Sequence, residues 1–117
     1  MDQELELQKW ETEFKKGFSK PLILLTLAKN PNYPYQVSKT INENTKGKIM
    51  ITGSNIYPIL KKIEDTGLII GKKDEVTKKR NYRLTNDGKK FLTSLKGAMK
   101  EFIEIIQNIV DVNDEMK

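Results

Sequence analysis

The sequence contains no cysteine and no histidine in its 117 residues. That absence excludes disulfides, thiol nucleophiles, Cys/His zinc sites, haem ligation through histidine, and every catalytic triad that relies on an imidazole base. No apolar run approaches the roughly 20 residues that a bilayer-spanning helix needs. The opening segment, MDQELELQKW, is acidic where a secretory leader would be basic and then apolar. The expectation is a soluble, cytoplasmic chain with no membrane partner. Adjacent carboxylates are scarce in the middle of the chain, where only Glu64-Asp65 and Asp74-Glu75 occur. Neighbours in sequence point apart on a helix, so these pairs make poor catalytic dyads and poor metal sites. Neither an enzyme nor a metal or other cofactor is expected.

What is present is charge. Charged residues make up 32% of the chain and hydrophobic residues 37%, polar for a globular protein but short of the composition that leaves a chain disordered. The length suits one compact domain with helical extensions. The net charge of +5 hides an uneven distribution. Residues 1 to 14 carry five acids against one base, residues 101 to 117 again carry five against one, and the body from 15 to 100 therefore holds a net +13. A polyanion such as nucleic acid would attract the middle and repel both ends.

Periodicity divides the chain into three segments. In residues 1 to 18, Leu7, Trp10, Phe14 and Phe18 recur at spacings of three and four, the stripe of an amphipathic helix. A second helix is expected from about Ser19, through Leu22 to Ala28, apolar nearly all round and hence buried. After the Asn30-to-Pro34 turn, Tyr35, Val37, Ser38 and Ile41 suggest a short helix ending at Gly47, and a further helix runs from about Ser54 to Thr66, stopped by Gly67. Leu68 to Lys72 and Arg80 to Leu84 read as the strands of a hairpin with a charged tip. Thr85 then caps a long helix in which Leu92, Leu95, Met99, Phe102, Ile106 and Ile109 keep the helical spacing, widened by Ile103. The expected fold is mainly α with a small β-hairpin: a winged helix-turn-helix over 19 to 86, an N-terminal amphipathic helix over 1 to 18, and a C-terminal dimerisation helix and tail over 87 to 117.

On the helix from Ser54, the apolar residues Ile56, Ile59, Leu60 and Ile63 fall on one side and must face the core. The opposite side then presents Ser54, Pro58 and Lys61, flanked by Asn55, Tyr57 and Lys62. Small groups for close approach, hydrogen-bonding groups for base edges and cations for phosphates are what a groove-reading helix needs. Pro58 is notable, because a proline in a helix interior costs about 3 kcal/mol. Tyr35, Ser38 and Lys39 on the preceding helix join the candidates for DNA contact. Lys72, Lys73, Lys78, Lys79 and Arg80 in the hairpin read as phosphate contacts of a wing.

These residues carry a family resemblance. The run from Ser54 to Ile69, with Ile56-Tyr57-Pro58, Glu64 and Gly67-Leu68-Ile69, resembles the helix-to-strand signature of PadR-type transcriptional regulators. Tyr33-Pro34-Tyr35-Gln36-Val37 is similar to that family's Tyr-Gly-Tyr-Glu-Ile, and Tyr82-Arg83-Leu84-Thr85-Asn86-Asp87-Gly88 to its Tyr-Arg-Leu-Thr-x-x-Gly. The matches keep the family's order and spacing over about residues 18 to 92. The chain departs from the pattern at Pro34 and Gln36, at Asn81 where an aromatic is usual, and at Ser54-Asn55 where the family has Gly-Thr.

The resemblance implies a homodimer of winged-helix domains, held by terminal helices, that binds double-stranded DNA at a palindromic operator and represses transcription. The residues agree: a lone helix cannot bury so wide a stripe on a small domain. The seam is assigned to Leu7, Trp10, Phe14, Leu92, Leu95, Met99, Phe102, Ile103, Ile106 and Ile109. Trp10 is also a candidate to line a pocket for a small aromatic effector, as in some relatives. The competing readings are a winged helix that docks another protein and a non-specific architectural DNA-binding protein.

Overall fold

Asp2 opens the first helix: its carboxylate accepts from the Leu5 amide at 3.1 Å, and α1 runs over Gln3–Lys15. The computed structural model describes residues 1–115, so Met116 and Lys117, the end of the expected C-terminal segment, lie outside the described residues. A single 3-10 turn at Lys16–Phe18 links α1 to α2, Ser19–Lys29, whose first turn accommodates Pro21. Pro34 starts α3, Pro34–Asn44, again in a first turn, where its missing amide is not needed. Helix α3 closes before the expected Gly47, which lies in a following turn with φ +77° and donates to the Asn42 carbonyl at 2.8 Å.

Helix α4, Gly53–Asp65, begins one residue earlier than expected, because Thr52 adopts the extended conformation of an N-cap. The hairpin pairs β1, Ile69–Lys73, with β2, Arg80–Leu84, in antiparallel register from Ile69↔Leu84 to Lys73↔Arg80. Leu68, expected in the first strand, instead offers its carbonyl to the Thr85 amide at 3.0 Å. Thr85 caps α5, Asn86–Glu115, as expected, its hydroxyl accepting from Gly88 N–H at 3.0 Å.

One pairing has no signature in local periodicity. Asn32 and Tyr82 exchange both backbone hydrogen bonds, at 3.0 and 2.8 Å, so the turn before α3 adds a one-residue third strand to the edge of β2. This ties the start of the helix-turn-helix to the wing.

The core joins Ile23, Leu24 and Leu27 of α2, Val37 and Ile41 of α3, and Ile56, Leu60 and Ile63 of α4 to Ile69, Tyr82 and Leu84 of the hairpin. Burying each such aliphatic side chain stabilises the fold by about 1.5–3 kcal/mol. Leu92 at the start of α5 completes this core at 4% exposed and Leu95 packs against it. The periodicity of α5 places both in the dimer seam. Leu92 is instead consumed within its own chain, because the first turns of α5 lie across α2 and β2, and the stripe left open to a partner begins beyond it. No residue of α1 is buried, and residues 101 to 113 of α5 are all exposed. Among the described residues, no helix is long and apolar enough to cross a membrane.

Candidate nucleic-acid interface

The buried side of α4 determines its open side. With Ile56, Leu60 and Ile63 in the core and Ile59 half-buried, the residues Ser54, Asn55, Tyr57, Pro58, Lys61 and Lys62 all face solvent, as the helical wheel demands. Ser54 Oγ lies 3.1 Å from Thr52 Oγ1 at the helix start. Pro58 lies past the first turn and has no amide to give the Ser54 carbonyl, so that rung of the helical ladder is missing on this exposed face. Lys61 pairs with Asp65 at 3.2 Å, but both side chains are more than half exposed, and such a pair contributes at most about 1 kcal/mol and is readily exchanged. On α3, Tyr35 and Lys39 are exposed and Ser38 is half-buried. The Ser38 hydroxyl is buried without a hydrogen-bond partner.

The wing presents Lys72, Lys73, Lys78 and Lys79, all exposed. Its tip is built by Asp74, whose carboxylate accepts from the Val76 and Thr77 amides at 2.8 and 2.9 Å and from the Tyr33 hydroxyl at 3.2 Å. The Thr77 amide, then that of Val76, hold the Asp74 carboxyl below its ordinary pKa. Asp74 is thus the scaffold of the tip, with its charge turned inward onto backbone donors. Lys78 takes φ +64°, a left-handed conformation uncommon for a side chain of this kind, which bends the tip so that the chain can return to β2.

Arg80 differs from the lysines. Its guanidinium donates to Glu64 Oε2 at 3.2 Å and to the Gly71 carbonyl at 3.0 Å, and lies 5.9 Å from the centre of the Tyr82 ring. Tyr82, then Glu64, push its pKa above the ordinary arginine value. Glu64 also accepts from Gly71 N–H at 3.0 Å, so one carboxylate binds the end of α4 to both strands of the wing. The sequence marks Glu64 as part of the family signature and as one of a poor pair of carboxylates, and gives no sign of which wing residues it meets. Its position at the border of the α4 apolar stripe, one residue after Ile63 and four after Leu60, is the signal that it would reach across to the neighbouring element.

The remaining seam candidates are divided between the two terminal helices. Trp10 is 66% and Phe102 63% exposed, with Leu7, Phe14, Ile103, Ile106 and Ile109 also open and Met99 half-buried. The Trp10 ring N–H donates to Glu6 at 3.1 Å. Phe14, Phe18, Met99 and Phe102 line an apolar cleft of about 300 Å³ between α1 and α5. Among the described residues, no group of three or more Asp or Glu is placed to hold a metal.

Comparison with known proteins places this architecture. The model of the PadR-like family of transcriptional regulators matches residues 23–94. A transcriptional regulator from Clostridium thermocellum is 26% identical with a TM-score of 0.73, covering 82% of this chain and 96% of that one. A PadR family transcription regulator from Clostridium difficile R20291 is 28% identical with a TM-score of 0.62, covering 78% and 95%. A PadR family regulator from Eggerthella lenta shares the fold at a TM-score of 0.78 over 94% of this chain and 93% of that one, at 23% identity. The family is a class of DNA-binding transcriptional regulators and not of enzymes. With its match running from α2 through the hairpin into the first turns of α5, well over half of the sequence, this chain belongs to the PadR-like family of transcriptional regulators.

Proposed function

We propose that the chain is a sequence-specific reader of double-stranded DNA that acts as a homodimer on a palindromic operator and represses transcription from it. The observation that carries this reading is the open face of α4, with Asn55, Tyr57 and Lys62, beside a wing whose four lysines are exposed. Helix α4 enters the major groove and discriminates bases, while Lys72, Lys73, Lys78 and Lys79 hold the phosphates. In this division of labour, residues 19 to 86 form the DNA-binding domain, and the segments 1 to 18 and 87 to 117 form the dimer body.

The dimer follows from the exposed stripes of α1 and α5, which leave Trp10, Phe14, Phe102 and Ile106 to water in a single chain. Both stripes lie in the acidic ends, so the dimer body points away from the duplex. Trp10 is the residue that a flat aromatic effector would meet in such a body, and quenching of its fluorescence by an aromatic ligand tests that role. A twofold axis through these helices sets the two α4 helices in successive major grooves, with half-site centres roughly 10 to 10.5 base pairs apart or a multiple of this. A footprint on DNA upstream of the chain's own gene is expected to protect two inverted half-sites on one face. Featureless protection that spreads with protein concentration would instead mark an architectural protein.

A further inference from the structure

Away from the termini, the terminal helices and the hairpin, the large apolar side chains that stand open to water gather in one place. Tyr35 on α3, Met50 in the α3–α4 loop and Tyr57 on α4 are each more than half exposed, and all three line one open cleft of about 330 Å³ between α3 and the start of α4. Single exposed apolar groups are ordinary, but three converging on one cleft mark a surface that is covered in use. Met50, which unlike the two tyrosines carries no hydroxyl, is 70% exposed, next to Ile51, which is buried in the core. A loop position so open has no packing reason to be apolar.

Charge identifies the occupant. Lys39 shares the lining of the cleft, and no acidic residue does. Lys46 and Lys48 stand exposed on the same loop, and among the described residues none of these three lysines is in an ion pair. The cleft therefore suits a polyanionic surface that carries small apolar projections. On the major-groove edge of a duplex that projection is the thymine C5-methyl, the one apolar group in the donor and acceptor code, and apolar side chains read it by contact.

We propose that Met50, which shares its cleft with Tyr35 and Tyr57, reads thymine methyl groups in the operator, which makes this loop residue a determinant of specificity outside α4. The proposal rests on the reading of α4 as the groove-facing helix, since Tyr57 belongs to both. Its flexible, polarizable thioether fits a methyl whose height in the groove varies from step to step.

The test begins with selection of duplexes from a random pool by the wild-type protein, which is expected to return thymine at one or more positions of each half-site. Replacing each such thymine by deoxyuridine removes only the methyl, and at the position facing Met50 this should weaken wild-type binding about fourfold. Met50→Ala should be indifferent to the same replacement, Met50→Gln likewise, and Met50→Leu should keep the wild-type preference. All three change an exposed side chain, and coincident thermal unfolding curves confirm that the fold is intact. A wild type indifferent to uridine at every selected thymine overturns the proposal and leaves sequence-specific binding standing, as does a preference that survives in Met50→Ala. Failure to enrich any sequence removes the reading of α4 itself.

Discussion

Glu64 Oε2 accepts from the Gly71 backbone amide at 3.0 Å, and this single acceptor, shared with Arg80, joins the last turn of α4 to the wing. The helix expected to read bases and the hairpin expected to grip phosphates are thereby held in one orientation. Glu64→Ala should cost about 1.5–3 kcal/mol, since it removes charge-assisted bonds and leaves Gly71 N–H without its partner. Glu64→Gln keeps an acceptor and should cost less. Urea unfolding measures both, and a cost within error of zero for Glu64→Ala would show that the hairpin is held by its core residues alone.

Gly88 is needed where α5 crosses the strand entry. A Cβ at this position would overlap the carbonyl oxygen of Leu68, which is backbone and already bonded to the Thr85 amide. The expected cost of Gly88→Ala is more than about 3 kcal/mol, at the severe end of overpacking effects. Gly97→Ala on the same helix meets nothing and serves as the control, expected to be neutral or slightly stabilising in thermal melts.

Asp74 makes the wing tip sensitive to acid. Its carboxyl pKa is lowered in the fold by the Thr77 and Val76 amides, so its contribution is complete above the ordinary carboxylate value of about 3.9 and is lost as pH falls through the depressed folded value. Amide resonances of Val76 and Thr77 should hold their positions down to that range and shift only below it, while the core remains folded. Asp74→Asn can still accept both bonds and should abolish the pH dependence of the tip.

Much of this architecture was legible from local chemistry. The Thr85 cap, the Gly67 stop and the core side of α4 each depend on residues within a turn or two of one another and lie where the sequence places them, and the hairpin differs only in a first strand that starts one residue later. The rest depends on partners distant in sequence. The Asn32↔Tyr82 bridge, the Glu64 clasp and the Tyr33–Asp74 bond join residues 50, 7 to 16 and 41 positions apart, and no periodicity encodes such pairs. For the same reason nothing in the sequence separates Arg80 from the wing lysines, although its head group is engaged by Glu64 and Gly71. Leu92 and Phe102 belong to one unbroken stripe in sequence, and only the packing of α5 across α2 and β2 separates the buried turns from the open ones.

The open part of that stripe predicts the assembly. Phe102→Asp with Ile106→Asp would place charge in an apolar seam at a cost of several kcal/mol to association. Neither residue contributes to the core of its own chain, so the winged helix should stay folded while light scattering shows a monomer. A wild type already monomeric at micromolar concentration would contradict the dimer.

If α4 specifies and the wing positions, parallel titrations of two variants against operator and scrambled duplexes over a range of salt separate the two roles. Asn55→Ala should reduce discrimination between the two duplexes by about 1–3 kcal/mol and leave the salt dependence unchanged. Lys79→Ala, on an exposed side chain free of the Arg80 clasp, should weaken both duplexes alike and lower the salt slope by about one unit. Equal loss of discrimination from the two variants would contradict the account.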